Sequence, residues 1–466
     1  MMTLQQACNW VAAGKLPVLL VGDGHTRINR VHTDTRTLQG GDLFVALKGE
    51  HFDAHDFLAQ ARASGAAAAI AHYGLGVAGL PGLEVSDSKL ALGQLASSWR
   101  SQFDLPLIAV TGSNGKTTVT QMIASILRAW KPGAAFATEG NFNNDIGVPL
   151  TLLRLRPAHQ AGVVELGMNH PGEIACLAKL TRPAIALVNN AQREHLEFMD
   201  TVQAVALENG SVIDSLDAQG VAVFPADDAY TAMWQTMAGV RKVLTFALEG
   251  PADVTAVTHW AGSRWEVRAA TPSGPTEFTL GIAGRHNVKN ALAAMACALA
   301  AGVPLADIAA GLKAFVPVKG RSRAVQVRVS GRLIHMIDDT YNANPDSMRA
   351  AIDMLAELPG PRLLVMGDMA EVGSQGPQFH EEAGRLARNC GIEQLFALGT
   401  QSARAASSFG QGQHFTDMAT LNAAVLAALS QFSSMLVKGS RSMQMERVVQ
   451  AVSAAPTTFP ESSHAA

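Results

Sequence analysis

The sequence predicts an α/β protein with three domains. Its 466 residues suffice for about three domains of roughly 150 residues each. Short β-type runs alternate with segments of helical length almost throughout, which is typical of parallel sheets covered by helices. Hydrophobic residues make up 48% and charged residues 16% of the chain, so the composition is that of a globular protein and excludes an intrinsically disordered one.

The first block of elements, residues 1–105, predicts a small amino-terminal domain. Its expected elements are strands at 43–47 and 66–71 and helices at 55–64 and 89–102. An Asp-Leu-Pro turn at 104–106 then interrupts the pattern, because proline ends regular structure.

The second block, residues 106–316, predicts a central parallel-sheet domain. It opens with a buried-strand run at 107–110, a Gly-rich turn and an amphipathic helix at 119–130. The remaining expected elements are strands at 162–165, 184–189 and 221–224 and an Ala-rich helix at 288–301. Residues 253–283 alternate in β-type segments with Gly and Pro turns, which predicts an antiparallel insert or flank.

The third block, residues 317–466, predicts a carboxyl-terminal α/β domain. Its expected elements are strands at 333–338, 362–366, 394–398 and 435–437 and helices at 346–358 and 379–388. A soft tail is expected after Ala454. The alternation of strands and helices again predicts a sheet with helical connections.

Charge and cysteine content exclude several classes of partner. Lysine and arginine number 36 against 39 acidic residues, a net charge of −3, which gives no electrostatic basis for binding nucleic acid or an anionic membrane. Four widely spaced cysteines without a C-x-x-C pair indicate reduced thiols of a cytoplasmic protein. The opening residues lack the pattern of a signal peptide, and polar residues and glycines break the two long uncharged runs, so no membrane span is expected.

The strongest local motif is a phosphate loop between a predicted strand and a predicted helix. The loop consists of Gly112, Ser113, Asn114, Gly115, Lys116, Thr117 and Thr118. Glycines allow backbone N–H groups to turn toward phosphate oxygens, Lys116 can reach the β- and γ-phosphates, and the Thr117 hydroxyl can hold Mg²⁺. The general pattern G-x-x-x-x-G-K-[ST] has glycine where this chain has Val110. The alternative is an ordinary Gly-rich turn with an exposed lysine.

Two further residues follow strands of the same predicted sheet. Glu165 ends one strand, and His195 follows another by a few residues. Ligands of open α/β sheets gather at the carboxyl ends of strands, and Mg²⁺ prefers oxygen ligands. Each residue alone is more often a solvated loop residue, but beside a phosphate loop both are candidate metal ligands, Glu165 the better of the two.

Three polar clusters lie in predicted loops. Residues 139–145 are rich in amides, which fits either a turn or a site for a polar ligand. Residues 338–346 join a strand to a helix, so part of the cluster is a helix cap, while its acids, tyrosine and asparagines suit ribose and adenine. The segment 438–441, Lys-Gly-Ser-Arg, suits a carboxylate or phosphate but is weak alone, because basic turns are usually solvated.

Together these motifs resemble the Mur ligase family, the ATP-dependent amide-forming enzymes of bacterial cell-wall precursor synthesis. The resemblance rests on the segments 33–36, 43–49, 111–118, 165–167, 284–290 and 438–441. Within the family, the segments 140–147, 341–345 and 366–371 look like the member that adds D-alanyl-D-alanine. The Asp-Asn-Pro-Arg signature of the member that adds the diamino acid is not found.

The resemblance implies an α/β, three-domain Mur ligase architecture. An amino-terminal domain would hold the UDP part of the substrate, a central parallel-sheet P-loop domain would be the ATPase, and a carboxyl-terminal Rossmann-like domain would close over the site. The implied reaction uses ATP and Mg²⁺ to phosphorylate the free carboxylate of UDP-N-acetylmuramoyl-tripeptide. The amine of D-alanyl-D-alanine then attacks the acyl phosphate. The family also implies a monomer.

The resemblance assigns roles to individual residues. Lys116, Glu165 and His195 would be catalytic, and Thr117, Glu165 and His195 would hold the metal. The remaining nucleotide residues would be His286 and Asn287 near the adenine, Arg321 near the phosphates and Asp339 near the ribose. The substrate residues would be Thr35, Arg36, Asp53 and His55 for the UDP part, Asn143 and Asn144 for the muramoyl peptide, Tyr341, Asn342 and Asn344 for the nucleotide and dipeptide, and Lys438 and Arg441 for a carboxylate or phosphate.

One position departs from the family pattern. The family usually carries a carbamylated lysine that bridges to a metal ion, and this chain aligns Asn209 there. A carbamylated lysine is a long anionic oxygen ligand, so we expect Glu208 to replace part of its role as a metal ligand.

Two alternative functions stay open on the sequence. One is another ligase of the same class, either a Mur-type ligase that adds an amino acid or a folylpolyglutamate synthetase. The other is an ATP-gated binding module without catalysis. Dependence of ADP release on D-alanyl-D-alanine separates the first alternative, and ATP turnover that needs both co-substrates separates the second.

Overall fold

Three large sheets organise the chain, one of five strands and two of six. They are seen in a computed structural model that describes residues 1–329 and 332–454. The tail expected after Ala454 therefore lies outside the described residues. Among the described helices, none is both long and apolar enough to cross a membrane.

The amino-terminal part has a five-stranded sheet of order β2-β7-β6-β5-β4, parallel except for β2. The strands are β1 (Met2–Thr3), β2 (Val18–Val21), β3 (Arg27–Ile28), β4 (Arg30–His32), β5 (Asp42–Val45), β6 (Ala68–Ala71) and β7 (Gly82–Val85). The helices are α1 (Leu4–Ala13), α2 (Leu58–Ala63), α3 (Leu75–Ala78) and α4 (Ser88–Arg100). The expected helix at 55–64 begins as a 3₁₀ turn, Ala54–Phe57, because the Asp53 side chain caps the backbone N–H of His55.

The central sheet is parallel throughout, in the order β13-β12-β11-β8-β10-β9. Its strands are β8 (Leu107–Thr111), β9 (Ala135–Ala137), β10 (Ala161–Glu165), β11 (Ile185–Val188), β12 (Val221–Pro225) and β13 (Lys242–Phe246). Its helices are α5 (Lys116–Trp130), α6 (Gly147–Leu152), α7 (Glu173–Thr181), α8 (Leu196–Met199), α9 (Val202–Asp214), α10 (Thr231–Ala238), α11 (Arg285–Ala300) and α12 (Leu305–Lys313). The expected antiparallel insert is confirmed as the meander β14 (Thr255–Trp260), β15 (Trp265–Ala270) and β16 (Thr276–Leu280).

The carboxyl-terminal sheet has the order β17-β18-β22-β19-β20-β21, with only the pair β17–β18 antiparallel. Its strands are β17 (Arg323–Val329), β18 (Arg332–Asp339), β19 (Arg362–Gly367), β20 (Gln394–Leu398), β21 (Gln413–Phe415) and β22 (Ser434–Lys438). Its helices are α13 (Pro345–Ala356), α14 (Gly376–Asn389), α15 (Ser402–Phe409), α16 (Met418–Ala428) and α17 (Glu446–Ser453).

The central strand β8 explains where the site forms. Every residue of β8 is buried, because α5 and the Ala-rich α11 cover one face of the sheet and an apolar cluster covers the other. Such strands are typically continuous hydrophobic runs. The carboxyl ends of β8, β10 and β11 consequently meet at one edge of the sheet.

The connection between the first two domains is held by a buried guanidinium group. Arg100, at the end of α4, donates to the carbonyl oxygens of Thr181 at 2.9 Å and Phe103 at 2.5 Å. Burial lowers the pKa of Arg100, with the nearby Arg182 charge adding to the effect. Because these carbonyls belong to the linker and to the end of α7, Arg100 fixes the amino-terminal part against the central sheet.

Candidate active site

The phosphate loop begins at the end of β8 and leads into α5. Gly112 has φ 131° and Gly115 has φ 82°, conformations that favour glycine. A Cβ atom at Gly115 would lie 2.5 Å from Asn290 Oδ1, so close packing also requires glycine there. Val110, the departure from the general motif, is a buried residue within β8.

Lys116 is bound to an acidic residue that the sequence analysis did not single out. Its Nζ donates to Glu194 Oε1 at 2.7 Å and to the carbonyl oxygens of Gly112 and Ser113 at 2.6 and 3.1 Å. Glu194 is 8% exposed, and its other carboxylate oxygen has no hydrogen-bond partner among the described residues. The lysine is therefore held at the loop by charge and by backbone contacts.

Thr117 of the phosphate loop contacts Glu165, so the two residues expected to hold Mg²⁺ lie side by side. The Thr117 hydroxyl donates to Glu165 Oε1 at 3.0 Å, and Asn143 Nδ2 donates to the same oxygen at 2.8 Å. Glu165 is 1% exposed, and its Oε2 accepts no hydrogen bond from residues 1–329 or 332–454. A buried carboxylate oxygen without a donor fits a cation. In the described part of the chain no three His, Cys, Asp or Glu side chains form a metal cage by themselves.

His195 lies between two acidic residues. Its Nδ1 is 2.6 Å from Glu371 Oε2, and its Nε2 is 3.5 Å from Glu194 Oε1. Burial lowers its pKa, but the contacts with Glu194 and Glu371 outweigh burial and raise the pKa to about 9. A protonated imidazole has no free lone pair, so metal binding at His195 requires loss of this proton.

A chain of amides lies beside the phosphate loop and leads to His286 and Asn287, the residues expected near the adenine. Asn189 Nδ2 donates to Asn290 Oδ1 at 3.0 Å, and Asn290 Nδ2 donates to Asn287 Oδ1 at 3.0 Å. Asn287 Nδ2 in turn lies 3.1 Å from His286 Nε2. Burial lowers the pKa of His286 to about 4, so this ring is neutral near pH 7. Asn189 and Asn290 are site residues that the sequence analysis did not identify.

The carboxyl-terminal domain contributes an ion pair at the same edge. Lys438 Nζ donates to Asp339 Oδ2 at 2.7 Å and to the Asn342 carbonyl oxygen at 2.8 Å. Burial raises the pKa of Asp339, but Lys438 outweighs it, so the pKa is lowered overall. The lysine and the carboxylate therefore fix the loop that follows β18.

Tyr341 presents its ring to two guanidinium groups. The guanidinium carbon of Arg321 lies 4.0 Å from the ring centroid, and that of Arg441 lies 5.8 Å away. Cation–π contacts of this kind hold arginines at defined positions. Both positive charges consequently face the cavity that the central and carboxyl-terminal domains share.

The phosphate loop also contacts the carboxyl-terminal domain directly. Asn344 Nδ2 donates to Asn114 Oδ1 at 2.9 Å, while Asn344 Oδ1 accepts from the Ser347 backbone N–H and caps α13. The asparagine thus caps α13 and contacts the phosphate loop, and its expected role in binding substrate stays a prediction.

These residues surround one polar cavity of about 1270 Å³. Its lining joins the central and carboxyl-terminal domains and includes most of the predicted site residues: Ser113, Asn114, Gly115, Lys116, Thr117, Thr118, Asn143, Asn144, Glu165, His195, His286, Asn287, Arg321, Asp339, Tyr341, Asn342, Asn344, Lys438 and Arg441. The volume and the polar lining suit a nucleotide together with a second polar substrate.

Comparison with known proteins identifies the family. Residues 27–100 match the Mur ligase family catalytic domain, residues 110–298 the Mur ligase middle domain and residues 320–441 the Mur ligase glutamate ligase domain. The UDP-N-acetylmuramoyl-tripeptide–D-alanyl-D-alanine ligase of Escherichia coli is 44% identical over 91% of this chain and 94% of its own length. The chain belongs to the Mur ligase family. The ligase of the same name from Haemophilus influenzae is 39% identical over 93% of this chain and 95% of its own length.

Solved structures confirm the Mur ligase fold. MurF from Acinetobacter baumannii matches with a TM-score of 0.88 and 36% identity, covering 97% of this chain and 98% of that one. MurF from Thermotoga maritima in complex with ADP matches with a TM-score of 0.80 and 26% identity, covering 92% and 97%. The expected α/β Mur ligase architecture and the resemblance to the D-alanyl-D-alanine-adding member are confirmed. A folylpolyglutamate synthase from Mycobacterium tuberculosis, at 14% identity and a TM-score of 0.63, shares the fold alone.

The expected UDP-substrate residues of this Mur ligase lie apart from the cavity. Asp53 Oδ1 is 2.5 Å from His55 Nδ1, and hydrogen bonds from the backbone and the ring of His55 hold the pKa of Asp53 well below its usual range. Arg36 is exposed and paired with Asp34 at 2.7 Å, beside Thr35 on a 3₁₀ turn. The structure places them in the amino-terminal domain, where their role in binding UDP stays a prediction.

Two asparagines of the expected peptide-binding loop reach the cavity in different ways. Asn143 contacts Glu165, as described, whereas Asn144 Oδ1 accepts from the backbone N–H of Gly147 at 2.8 Å, at the start of α6. Both line the cavity, and the turn interpretation holds for Asn144. Contact of either residue with the muramoyl peptide stays a prediction.

The structure gives Glu208 a helix-capping role, and its expected role as a metal ligand stays a prediction. Its two oxygens accept from the backbone N–H groups of Gly172 and Ile174, both at 2.8 Å, so the carboxylate caps the start of α7. It is absent from the lining of the cavity. The residue before α7 is Gly172, which has no capping side chain, and Glu208 supplies the cap in its place.

Asn209, which the sequence analysis aligns with the family lysine, supports the phosphate loop. Its Oδ1 accepts from the Thr111 hydroxyl at 2.6 Å and from the Gly112 backbone N–H at 2.9 Å. Asn209 is buried at 1% exposure. Its side chain is short and uncharged, so it replaces neither the length nor the charge of a carbamylated lysine. Gly112 is thereby fixed at the start of the loop, outside the lining of the cavity.

Proposed function

We propose that this Mur ligase is an ATP-dependent enzyme that joins D-alanyl-D-alanine to UDP-N-acetylmuramoyl-tripeptide in cytoplasmic peptidoglycan precursor synthesis. The relatives from Escherichia coli and Haemophilus influenzae are named for this activity, and they match nearly the whole chain. The observation that carries the proposal is the shared cavity, which Lys116, Thr117 and Glu165 of the central domain line together with Tyr341 and Lys438 of the carboxyl-terminal domain. We propose that the protein acts as a monomer, with the domain boundaries after residues 105 and 316.

The first step transfers the γ-phosphoryl group of ATP to the tripeptide carboxylate. A carboxylate oxygen bonds to the γ-phosphorus while the bond to the β-phosphate oxygen breaks, giving an acyl phosphate and ADP. Attack of one anion on another needs positive charge, which Lys116 supplies at the loop. Thr117 and Glu165, with His195 after loss of its proton, would hold Mg²⁺, whose charge offsets that of the phosphates.

The second step forms the amide. The amine of D-alanyl-D-alanine bonds to the acyl carbon, and the tetrahedral intermediate expels inorganic phosphate as the nitrogen loses its proton. Arg321, Lys438 and Arg441 supply positive charge on the carboxyl-terminal side and suit the dipeptide carboxylate and the phosphates. Contact between the two domains brings amine and acyl phosphate together and excludes water.

A substrate-omission assay tests this function. The purified protein is incubated with ATP, Mg²⁺, the UDP-linked tripeptide and D-alanyl-D-alanine, and ADP and the amide product are measured together. We expect equal amounts of both with all substrates present, and no amide and no repeated turnover of ATP when any substrate is omitted. Product formation with a free amino acid in place of the dipeptide supports another amino-acid ligase, and nucleotide binding without turnover supports a binding module.

A further inference from the structure

The loop that follows β11, residues 190–195, contacts the phosphate loop with some side chains and the carboxyl-terminal domain with the side chains between them. Its even-numbered side chains contact the phosphate loop. Asn190 Oδ1 accepts from the Asn114 backbone N–H at 2.8 Å, and Gln192 Oε1 accepts from Asn114 Nδ2 at 2.6 Å. Glu194 binds Lys116, as described. Three successive even positions therefore hold the loop that binds phosphates.

The odd-numbered side chains Arg193 and His195 reach the carboxyl-terminal domain. The guanidinium of Arg193 donates to Asp346 Oδ1 at 2.6 Å and to Glu382 Oε2 at 2.9 Å, and its backbone N–H donates to Asp346 Oδ2 at 2.8 Å. His195 pairs with Glu371 at 2.6 Å. The segment bends at Arg193 and again at His195, whose φ is 51°, so one short loop contacts both the phosphate loop and the carboxyl-terminal domain.

Arg193 is the stronger of these two anchors. Its side chain is 21% exposed, and its guanidinium carbon lies 5.1 Å from the centroid of the Phe379 ring. The planar group is thus fixed by two carboxylates and an aromatic face, a geometry that lysine cannot reproduce. Asp346 lies in the first turn of α13, directly after Pro345, and Glu382 lies on α14.

We propose that Arg193 is a positioning residue that couples docking of the carboxyl-terminal domain to the arrangement of Lys116 at the phosphates. Arg193 precedes Glu194, so a shift of the domain moves the residue that binds Lys116. This inference rests on the proposed function, since it assigns Arg193 to the protection of the acyl phosphate. With the domain docked, the acyl phosphate meets the amine; with the domain undocked, water reaches the acyl phosphate first.

The test is the ratio of ADP released to amide formed. In Arg193→Met we expect a ratio about threefold or more above that of the parent, because acyl phosphate is lost to hydrolysis when the domain docks less often. We also expect the KM for D-alanyl-D-alanine to rise about tenfold while the KM for ATP changes less. Arg193→Lys keeps the positive charge but lacks the planar guanidinium that binds both carboxylates. We expect its ADP-to-amide ratio to lie between those of the parent and Arg193→Met.

Arg349→Met is the matched control. Arg349 also pairs with Glu382, but both residues belong to the carboxyl-terminal domain. This substitution should leave the ADP-to-amide ratio unchanged, whereas a general loss of charge around Glu382 would affect both variants alike. Thermal unfolding of each variant shows whether it folds. A purely structural role lowers the active fraction without changing the ratio.

The outcomes separate the two proposals. A parent protein that forms no amide overturns the proposed function itself. A parent with a ratio near one and an Arg193→Met variant with the same ratio and the same KM values overturns the positioning role alone, as does an equal rise in Arg349→Met. A raised ratio in Arg193→Met, partly recovered in Arg193→Lys and absent in Arg349→Met, supports the coupling.

Discussion

Replacing Glu208 with glutamine distinguishes a helix cap from a metal ligand. The carboxylate accepts from two backbone N–H groups at the start of α7, at Gly172 and Ile174, and is 8% exposed. The amide of glutamine keeps one accepting oxygen and turns an NH₂ group toward the other N–H. The variant therefore loses one hydrogen bond and the negative charge at a helix amino terminus.

The expected destabilisation follows from these two contributions. A buried N–H without a partner costs about 1–3 kcal/mol, and the charge at the helix terminus contributes about 0.3–1 kcal/mol. We expect local opening of residues 172–181 to become easier by about 2 kcal/mol, which makes hydrogen exchange there about 30-fold faster. Mass-detected hydrogen exchange measures this change segment by segment, so the multidomain unfolding of the whole chain does not obscure it.

Glu173→Gln is the matched control for this experiment. Glu173 lies on the same helix and accepts from the Asn169 backbone N–H at 2.7 Å, but its side chain is 42% exposed. We expect an effect within about 0.5 kcal/mol, since water can accept the hydrogen bond in place of the carboxylate. Weaker Mn²⁺ binding by Glu208→Gln in the presence of ADP, together with unchanged exchange in residues 172–181, would refute the capping role.

Three further predictions concern the cavity. Lys116→Ala should lower the rate of ligation about 10²–10³-fold in an assay of ADP release, and an unchanged rate would exclude the proposed phosphate chemistry. Asp339→Asn leaves Lys438, 3% exposed, without its carboxylate and should destabilise the protein by about 3 kcal/mol in thermal unfolding; a midpoint equal to that of the parent contradicts the pairing. The pKa of His286 is lowered to about 4, so the unfolded chain binds a proton at this residue more readily than the folded protein does. The contribution of His286 to the free energy of unfolding is therefore fully present above about pH 6.5 and is lost as the pH falls toward 4. His286→Gln should flatten this dependence in denaturant unfolding from pH 7 to about 4.5, and an unchanged slope would assign it to other groups.

Local patterns were sufficient to predict most of the elements that build the site. The apolar run at 107–110 lies in β8, and the Ala-rich helix expected at 288–301 is α11. Both were predictable because nearly all of their residues are apolar, the pattern of an element buried on both sides. The strand β17 was not predicted. Its sequence alternates arginine and glutamine with valine, which is itself a pattern of strands with one buried face, but it has no continuous apolar run like that of β8.

The contacts of the site depend on long-range pairing that one sequence does not show. Glu194 could have been singled out by the argument used for His195, since both follow the same strand. Its partner Lys116, however, lies 78 residues away, and the partner of Arg193 lies 153 residues away. Only the order of the strands and the docking of the third domain bring them together. The capping role of Glu208 was not predicted for the same reason, because its partners lie at the start of α7, 34 and 36 residues earlier.

The pairing of Lys116 with Glu194 has a consequence for inhibitor design. An anionic compound aimed at Lys116 replaces an internal carboxylate that already lies at 2.7 Å, so it gains only the difference between two ion pairs. It also leaves Glu194 buried without its counter-ion. A zwitterionic compound, with an anion for Lys116 and a cation for Glu194, satisfies both charges and avoids that penalty.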